Sequence, residues 1–312
     1  MNSSGKIGAE YKILVTGGTG QVGRHLRELL PDAVYVSSKD YDLTSEFAVR
    51  KMIIDNKPDL IVHLAGYVAG ISENIASPAT YFYKNIMMNS LVVELSRELG
   101  VKRLIAIGST CAYPDKLADE FYPMRENCLY LGPPTPTNFG YGYAKRCMSV
   151  HIDAVNKQYG LNYQYIIPPN LYGPYDKFDA RSHYVGALLM KMLIATKAGH
   201  DHIELMGDGS PLRQFMYAGD LAASIFNCIN SDDRSSFNIA PDYILSIKQI
   251  AELAFRVCDV NLSIEWKGKN NGQLRKDVSN ARFREIYPSF EFMPFESGLL
   301  ITWKHLNSLC TL

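Results

Sequence analysis

Tyr141 and Lys145 stand four residues apart in Asn138-Phe-Gly-Tyr-Gly-Tyr-Ala-Lys-Arg146, at the start of a stretch that reads as a helix. Residues four apart on a helix share a face, so the phenol and the ammonium point the same way. A lysine charge beside a phenol favours the phenolate, which brings proton exchange at the tyrosine oxygen closer to neutral pH. Reduction of a carbonyl needs such a proton at the developing alkoxide. Tyrosine and lysine at this spacing are also common on helix surfaces, where they pack or solvate. The pair acquires meaning only if the rest of the chain supplies a hydride carrier and a substrate cradle.

A second group of candidates lies in Gly108-Ser109-Thr110-Cys111-Ala112-Tyr113-Pro114, directly after a predicted strand over 104–107. In open parallel sheets, ligands bind at the carboxyl ends of the strands. There a hydroxyl at Ser109 can hydrogen-bond a substrate carbonyl, and a thiol at Cys111 can act as a base. A lone cysteine is more often an inert small hydrophobe. The six cysteines, at 111, 128, 147, 228, 258 and 310, form no CxxC pair and no metal-ligand spacing. No metal is therefore expected, and free thiols in a reducing cytosol are the simplest account.

The elements that must position these groups begin with a buried strand over 12–16, which runs into Gly17-Gly-Thr-Gly-Gln-Val-Gly23 and a helix carrying Leu26, Leu29 and Leu30. The glycines satisfy both GxxGxxG (Gly17, Gly20, Gly23) and GxGxxG (Gly18, Gly20, Gly23). Strand, glycine turn and helix in this order let the backbone approach a pyrophosphate at a helix N-terminus, so a dinucleotide is expected. A second strand over 34–36 precedes Ser37-Ser38-Lys39. Small hydroxyls and a cation there suit a 2′-phosphate, whereas an acid would bond ribose hydroxyls, so NADP(H) is preferred although Asp40 is close by. Asp42 and Leu43 are expected at the adenine edge.

A helix capped by Ser45 and ended by Pro58 leads to a third strand over 60–64, in which His63 reads as a core histidine. Next come a helix over 80–99 with Asn85 and Asn89 on one face, the strand over 104–107, and a proline-rich loop over 115–138. The Tyr141 helix is predicted to stop at Gly160, followed by a strand over 162–167 and the turn-rich run from Pro168 to Arg181. The alternating pattern predicts an α/β fold: a Rossmann-type doubly wound parallel sheet with a smaller α/β substrate-binding domain. We divide the chain as 11–169 with 213–240 for the cofactor domain, and 170–212 with 241–312 for the substrate domain. Within the second, a helix over 183–198, a strand near 203–205, a capping box at Ser246-Ile-Lys-Gln249 and a final helix around Trp303 are expected, and 213–217 reads as one strand returning to the first domain.

Composition bounds the partners. Lysine plus arginine equals aspartate plus glutamate at 32 each in 312 residues, which gives no electrostatic case for nucleic acid or a membrane surface. Residues 1–11 lack the apolar core of a signal peptide and no apolar run approaches membrane-spanning length, so a cytoplasmic location is expected.

With the glycine loop, Ser109 and Tyr141-x-x-x-Lys145 in order, the sequence resembles the extended short-chain dehydrogenase/reductase superfamily. Ser109-Thr-Cys-Ala-Tyr-Pro114, the Asn138 to Arg146 run, Pro-Asn-Leu-Tyr-Gly-Pro-Tyr-Asp ending at Asp176, and Arg213-Gln-Phe215 resemble, within it, the GDP-4-keto-6-deoxy-D-mannose epimerase/reductases. The resemblance implies a Ser109, Tyr141, Lys145 triad for hydride chemistry, with Cys111 and His183 as base and acid of an epimerisation. It implies NADP(H) contacts at Gly17, Gly20, Gln21, Val22, Gly23, Ser38, Lys39, Asp42, Leu43, Leu64, Ala65, Tyr141, Lys145, Pro168 and His183. Asn85, Asn170, Lys191, Met206, Arg213 and Lys276 would hold a GDP-sugar substrate. Met206 stands where the family usually has tryptophan, and Lys191 where some members have arginine and its bidentate fork. The helices over 80–99 and 141–159 resemble the pair through which this superfamily forms homodimers. Two rivals follow: a 4-reductase of another 4-keto sugar nucleotide with little epimerase activity, and an NADP-binding sensor or scaffold without turnover.

Overall fold

The computed structural model describes residues 11–68, 70–179, 182–268 and 272–310. β1 (Ile13–Thr16), α1 (Gln21–Leu29), β2 (Val34–Val36), α2 (Glu46–Asn56) and β3 (Leu60–His63) alternate as the pattern predicts. Two helices, α3 (Ile71–Ala76) and α4 (Pro78–Glu98), lead to β4 (Arg103–Ile107); α5 (Phe139–Tyr159) and β5 (Gln164–Ile167) follow a loop of short 3₁₀ turns. A sixth strand joins much later, after β6 (Asn170–Tyr172), α6 (Tyr184–Ala198), β7 (His202–Met206), β8 (Leu212–Arg213), β9 (Phe215–Tyr217) and α7 (Ala218–Ile229). It is β10 (Phe237–Asn238), and the sheet order is β10-β5-β4-β3-β1-β2 with every pair parallel.

Strand residues alternate sides, and here both sides are apolar. Leu14, Ile61, Leu104 and Ala106 pack with Met52 of α2, Val92 of α4 and Ile152 of α5, while Ile13, Val15, Val62 and Ile105 pack with Leu26 of α1 and Leu221 of α7. Covering both faces is what excludes water from a parallel sheet and makes its strands read as unbroken apolar runs. Local signals also hold: Ser45 caps α2 through the Ala48 N–H, and Gly160 ends α5 in the left-handed region at φ 67°.

The remaining elements are β11 (Leu245–Ser246), α8 (Ile247–Val257), β12 (Ser263–Lys267), β13 (Arg275–Lys276), α9 (Ala281–Ile286) and α10 (Phe295–Leu309). A second core joins α6, β7, β9, α8 and α10 through Leu189, Ile203, Phe215, Ile250 and Leu299. The capping box at Ser246 and Gln249 is formed in both directions. Residues 213–217 are not the single strand expected from their sequence. Buried Gln214 divides them: its amide bonds the backbone of Pro241 and Val278, so β8 pairs with β11 and β13 while β9 pairs with β6, and the return to the large sheet is made by β10. Within 241–312, Phe283 of α9 packs beside Phe237 in the core of the large sheet, so the chain passes between the two layers once more. Among the described residues no helix is long and apolar enough to cross a membrane.

Candidate active site

Four strand ends meet at one edge of the sheet. After β1, Gly17 takes φ 71°, and a β-carbon there would stand 2.8 Å from the Ala65 nitrogen, so this turn can lie against the end of β3 only as glycine. α1 then begins at Gly20 with no side-chain cap, which leaves its first N–H groups directed out of the helix for an anion. The uncapped helix start and the bare glycine turn fit a dinucleotide pyrophosphate. Gln21 Nε2 ties the helix to the Gly173 carbonyl at 3.0 Å, and Val22 packs into the core beneath. Leu64 and Ala65 are held to Thr16 through its backbone and hydroxyl.

Ser38 and Lys39 are exposed at the turn after β2. The Asp40 carboxylate is engaged by the Ser37 N–H and hydroxyl, both at 2.8 Å, and these two bonds hold its pKa below the usual value. The nearby acid is thus occupied within its own turn. Asp42 likewise accepts from the Thr44 backbone and hydroxyl, and Leu43 is buried.

Beyond β4, Ser109 Oγ accepts the Cys111 N–H at 3.1 Å and starts a 3₁₀ turn. α5 approaches this turn closely because residue 142 is glycine: a β-carbon there would stand 2.5 Å from the Cys111 carbonyl oxygen. Tyr141 is thereby brought beside both Ser109 and Cys111. Burial drives the Tyr141 phenol well above its ordinary pKa and the Cys111 charge adds to that, while a hydrogen bond with Ser109 opposes them. Lys145 is buried on the same helix face, its Nζ donating to the Ile107 carbonyl at 2.7 Å and lying 6.0 Å from the Tyr141 ring centre. Burial pushes Lys145 down to about 8. The sequence spacing suggests a phenolate favoured by lysine; desolvation outweighs that effect here, so Tyr141 is held protonated, the form that donates.

Asn138 directs Nδ2 at Cys111 Sγ at 3.1 Å, and Lys276 directs Nζ at the same sulfur at 3.7 Å. Arg213, mostly buried, lies within electrostatic reach of that sulfur; burial lowers its pKa and the Cys111 charge raises it. Three N–H-bearing groups thus converge on Cys111. Sequence reading treats Asn138 only as the end of a loop. Asn138 is the N-cap of α5 and makes no side-chain capping bond; its Nδ2 is given to the sulfur, a contact across 27 positions that no local pattern marks.

His183 is the N-cap of α6, with no side-chain cap bond. Burial lowers its pKa and Asp176 opposes that. Among the described residues no hydrogen bond joins His183 to Cys111. Asn170 pairs with Phe215 in the β6–β9 ladder, and the Pro168 carbonyl accepts the Thr110 N–H at 3.1 Å. Lys191 is exposed and donates to the Glu204 carbonyl at 2.7 Å, and Met206 is 73% exposed at the end of β7. The Asn85 amide accepts from the Tyr67 N–H and donates to the Tyr67 and Tyr81 carbonyls, so it clamps the loop after β3. His63 is a core histidine, bonded to Thr16 at 2.8 Å and Asn89 at 3.2 Å and pushed down to about 3 by burial.

Residues 13–240 match the family described as NAD dependent epimerase/dehydratase. The chain is 32% identical over 305 residues to a GDP-L-fucose synthase of Dictyostelium discoideum, covering 92% of each. It is 35% identical over 305 residues to a GDP-L-colitose synthase of Yersinia pseudotuberculosis, covering 94% of this chain and 97% of the other. A crystal structure of a GDP-L-fucose synthetase from Naegleria fowleri bound to NADP matches with TM-score 0.85 at 29% identity, over 96% of this chain and 93% of that one.

Proposed function

The chain belongs to the NAD dependent epimerase/dehydratase family, and from that premise we propose an NADPH-dependent enzyme that epimerises and reduces GDP-4-keto-6-deoxy-D-mannose to GDP-L-fucose. The observation that carries this reading is the joining, at one sheet edge, of Ser109, Tyr141 and Lys145 with Cys111 and the donors aimed at its sulfur. The GDP-L-fucose synthases among its relatives and the NADP-bound structure support it.

When bound, the nicotinamide supplies the hydride that reduces the ketone. The chain's own residues do the rest. A ketone acidifies both neighbouring carbons, so Cys111 removes a proton from such a carbon and His183 returns one to the opposite face, inverting each centre through an enolate. Ser109 holds the ketone oxygen throughout, and Tyr141 gives its proton to the alkoxide left by reduction. The glycine turn and the start of α1 hold the pyrophosphate of the cofactor. The test is incubation with GDP-4-keto-6-deoxy-D-mannose and NADPH, followed by NMR of the product sugar. Inversion at both carbons flanking the ketone with reduction supports the reading; reduction without inversion favours the plain 4-reductase, and no NADPH oxidation with any 4-keto sugar nucleotide favours a sensor. The exposed Met206 in place of a tryptophan and the colitose synthase relative single out another 4-keto sugar as the second reading.

NADPH is expected to exceed NADH in kcat/KM by at least ~10-fold, the scale of one charged hydrogen bond to a 2′-phosphate. Ser38 and Lys39 are open for it while Asp40 is engaged by Ser37. Equal efficiency with both cofactors would defeat the assignment. A homodimer is also expected, formed across α4 and α5, which pack together and expose Phe82, Tyr83, Tyr143 and Val150. Light scattering at micromolar concentration should give twice the chain mass; the mass of a single chain would count against it. A cytoplasmic location belongs to the same proposal.

A further inference from the structure

Asp176 and His183 bracket the turn from β6 into α6, and the carboxyl group is placed at a cost. Its Oδ1 accepts the Lys177 N–H at 2.7 Å, but its Oδ2 is sealed from solvent with no hydrogen-bond partner among the described residues. It is wedged against the first turn of α6: a β-carbon at Gly186 would stand 2.5 Å from Oδ2 and 3.4 Å from the Ser182 β-carbon. Only glycine at 186 leaves room for this carboxylate. A buried carboxylate oxygen with no donor is expensive, and such a group calls for a charge partner.

Among the described residues the charged groups that face it are His183, Lys177 and Asp179. Lys177 Nζ is drawn away to the Val68 carbonyl at 2.7 Å, and Asp179 carries the same sign as Asp176. Among the described residues the imidazole is the stronger of the two opposite charges acting on Asp176, ahead of Lys177. His183, for its part, faces Asp176 and Lys177, and it sits at the N-terminal end of α6, where the helix dipole disfavours a cation. Burial, dipole and Lys177 all work against a proton on His183, and among these groups only Asp176 works for it. An acid must nonetheless carry its proton when the substrate arrives.

We propose that Asp176 is a positioning residue for His183: held against α6 by the space at Gly186, its carboxylate supplies the negative charge that keeps the imidazole protonated as the acid of epimerisation. This deepens the reading of His183 given above and rests on it. Burial pushes the Asp176 carboxyl up and the His183 imidazole down, and the attraction between their charged forms opposes both shifts. The direction of the effect follows. Asp176→Asn fills the same space without charge, so His183 loses its proton at a lower pH. Exchange that needs the imidazolium then fails earlier as pH rises.

The test uses the full-length enzyme with NADPH bound and histidines labelled at Cε1, the His183 resonance being assigned with His183→Asn. In Asp176→Asn the His183 resonance should titrate at lower pH. Deuterium exchange of the protons flanking the ketone should fall by ~10-fold or more at neutral pH and recover as pH is lowered, a recovery that a merely structural defect would not show. Gly186→Ala keeps the charge but displaces it and should shift both readouts the same way; retained NADPH binding checks the fold of each variant. An unchanged His183 titration in both variants overturns the proposal. If the titration moves in both and exchange does not, Asp176 holds the proton as proposed and it is the role given to His183 that fails.

Discussion

Tyr141→Phe should lower reduction of the 4-keto substrate by at least ~100-fold, the scale of losing a positioned acid, while the protein stays folded and binds NADPH. The phenol is buried and kept protonated by desolvation, with Ser109 as its hydrogen-bond partner. Phenylalanine keeps the ring that lies above Lys145 and the close approach of α5 at Gly142, so only the donated proton is removed. Ser109 cannot replace it without a second proton source. Lys145 has its ammonium turned to the Ile107 carbonyl and serves to fix the helix and the local charge. The measurement is kcat/KM for the ketone at saturating NADPH, beside NADPH affinity. Turnover near that of the parent enzyme would move proton donation to another group and end the assignment of Tyr141.

The parts of this arrangement that were legible in the sequence are those in which one local pattern dictates one local structure. The run into Gly17, the apolar strands over 60–64 and 104–107, the capping box at Ser246 and the stop at Gly160 all belong to this kind, because their determinants lie within a few residues of the outcome. What was not legible depends on contacts between distant segments. Gln214 breaks an apparent strand through bonds to Pro241 and Val278. Asn138 reaches a sulfur 27 positions back. The protonation of Tyr141 belongs with these: lysine at i+4 predicts a phenolate, whereas the whole packed edge, unreadable from spacing, removes the water that a phenolate needs. Side-chain placement at this edge is a tertiary property laid over a fold that local pattern largely specifies.

Cys111 and His183 separate an epimerase/reductase from a plain reductase, and their variants should separate the two half-reactions. In Cys111→Ser, exchange of the protons flanking the ketone into deuterated water should slow by ~100-fold or more, the loss of a general base, with NADPH binding little changed. The hydroxyl can still accept from Asn138 and Lys276, but it is a far weaker acid than a thiol and does not reach the anionic form that takes a proton from carbon. Those two donors lie ready for an anion at the sulfur, which is why the effect should fall on proton abstraction and not on packing. His183→Asn should act at the other face. Asparagine offers no proton of comparable acidity, so the carbon deprotonated by Cys111 would be reprotonated from the side it left. Cys111 then returns the proton it removed, so exchange should slow as in Cys111→Ser and inversion should stop, which NMR of the recovered ketone and of the reduced sugar reads directly. Exchange and inversion at the parent rate in both variants would return Cys111 to the role of a small packed side chain and leave only the reductase.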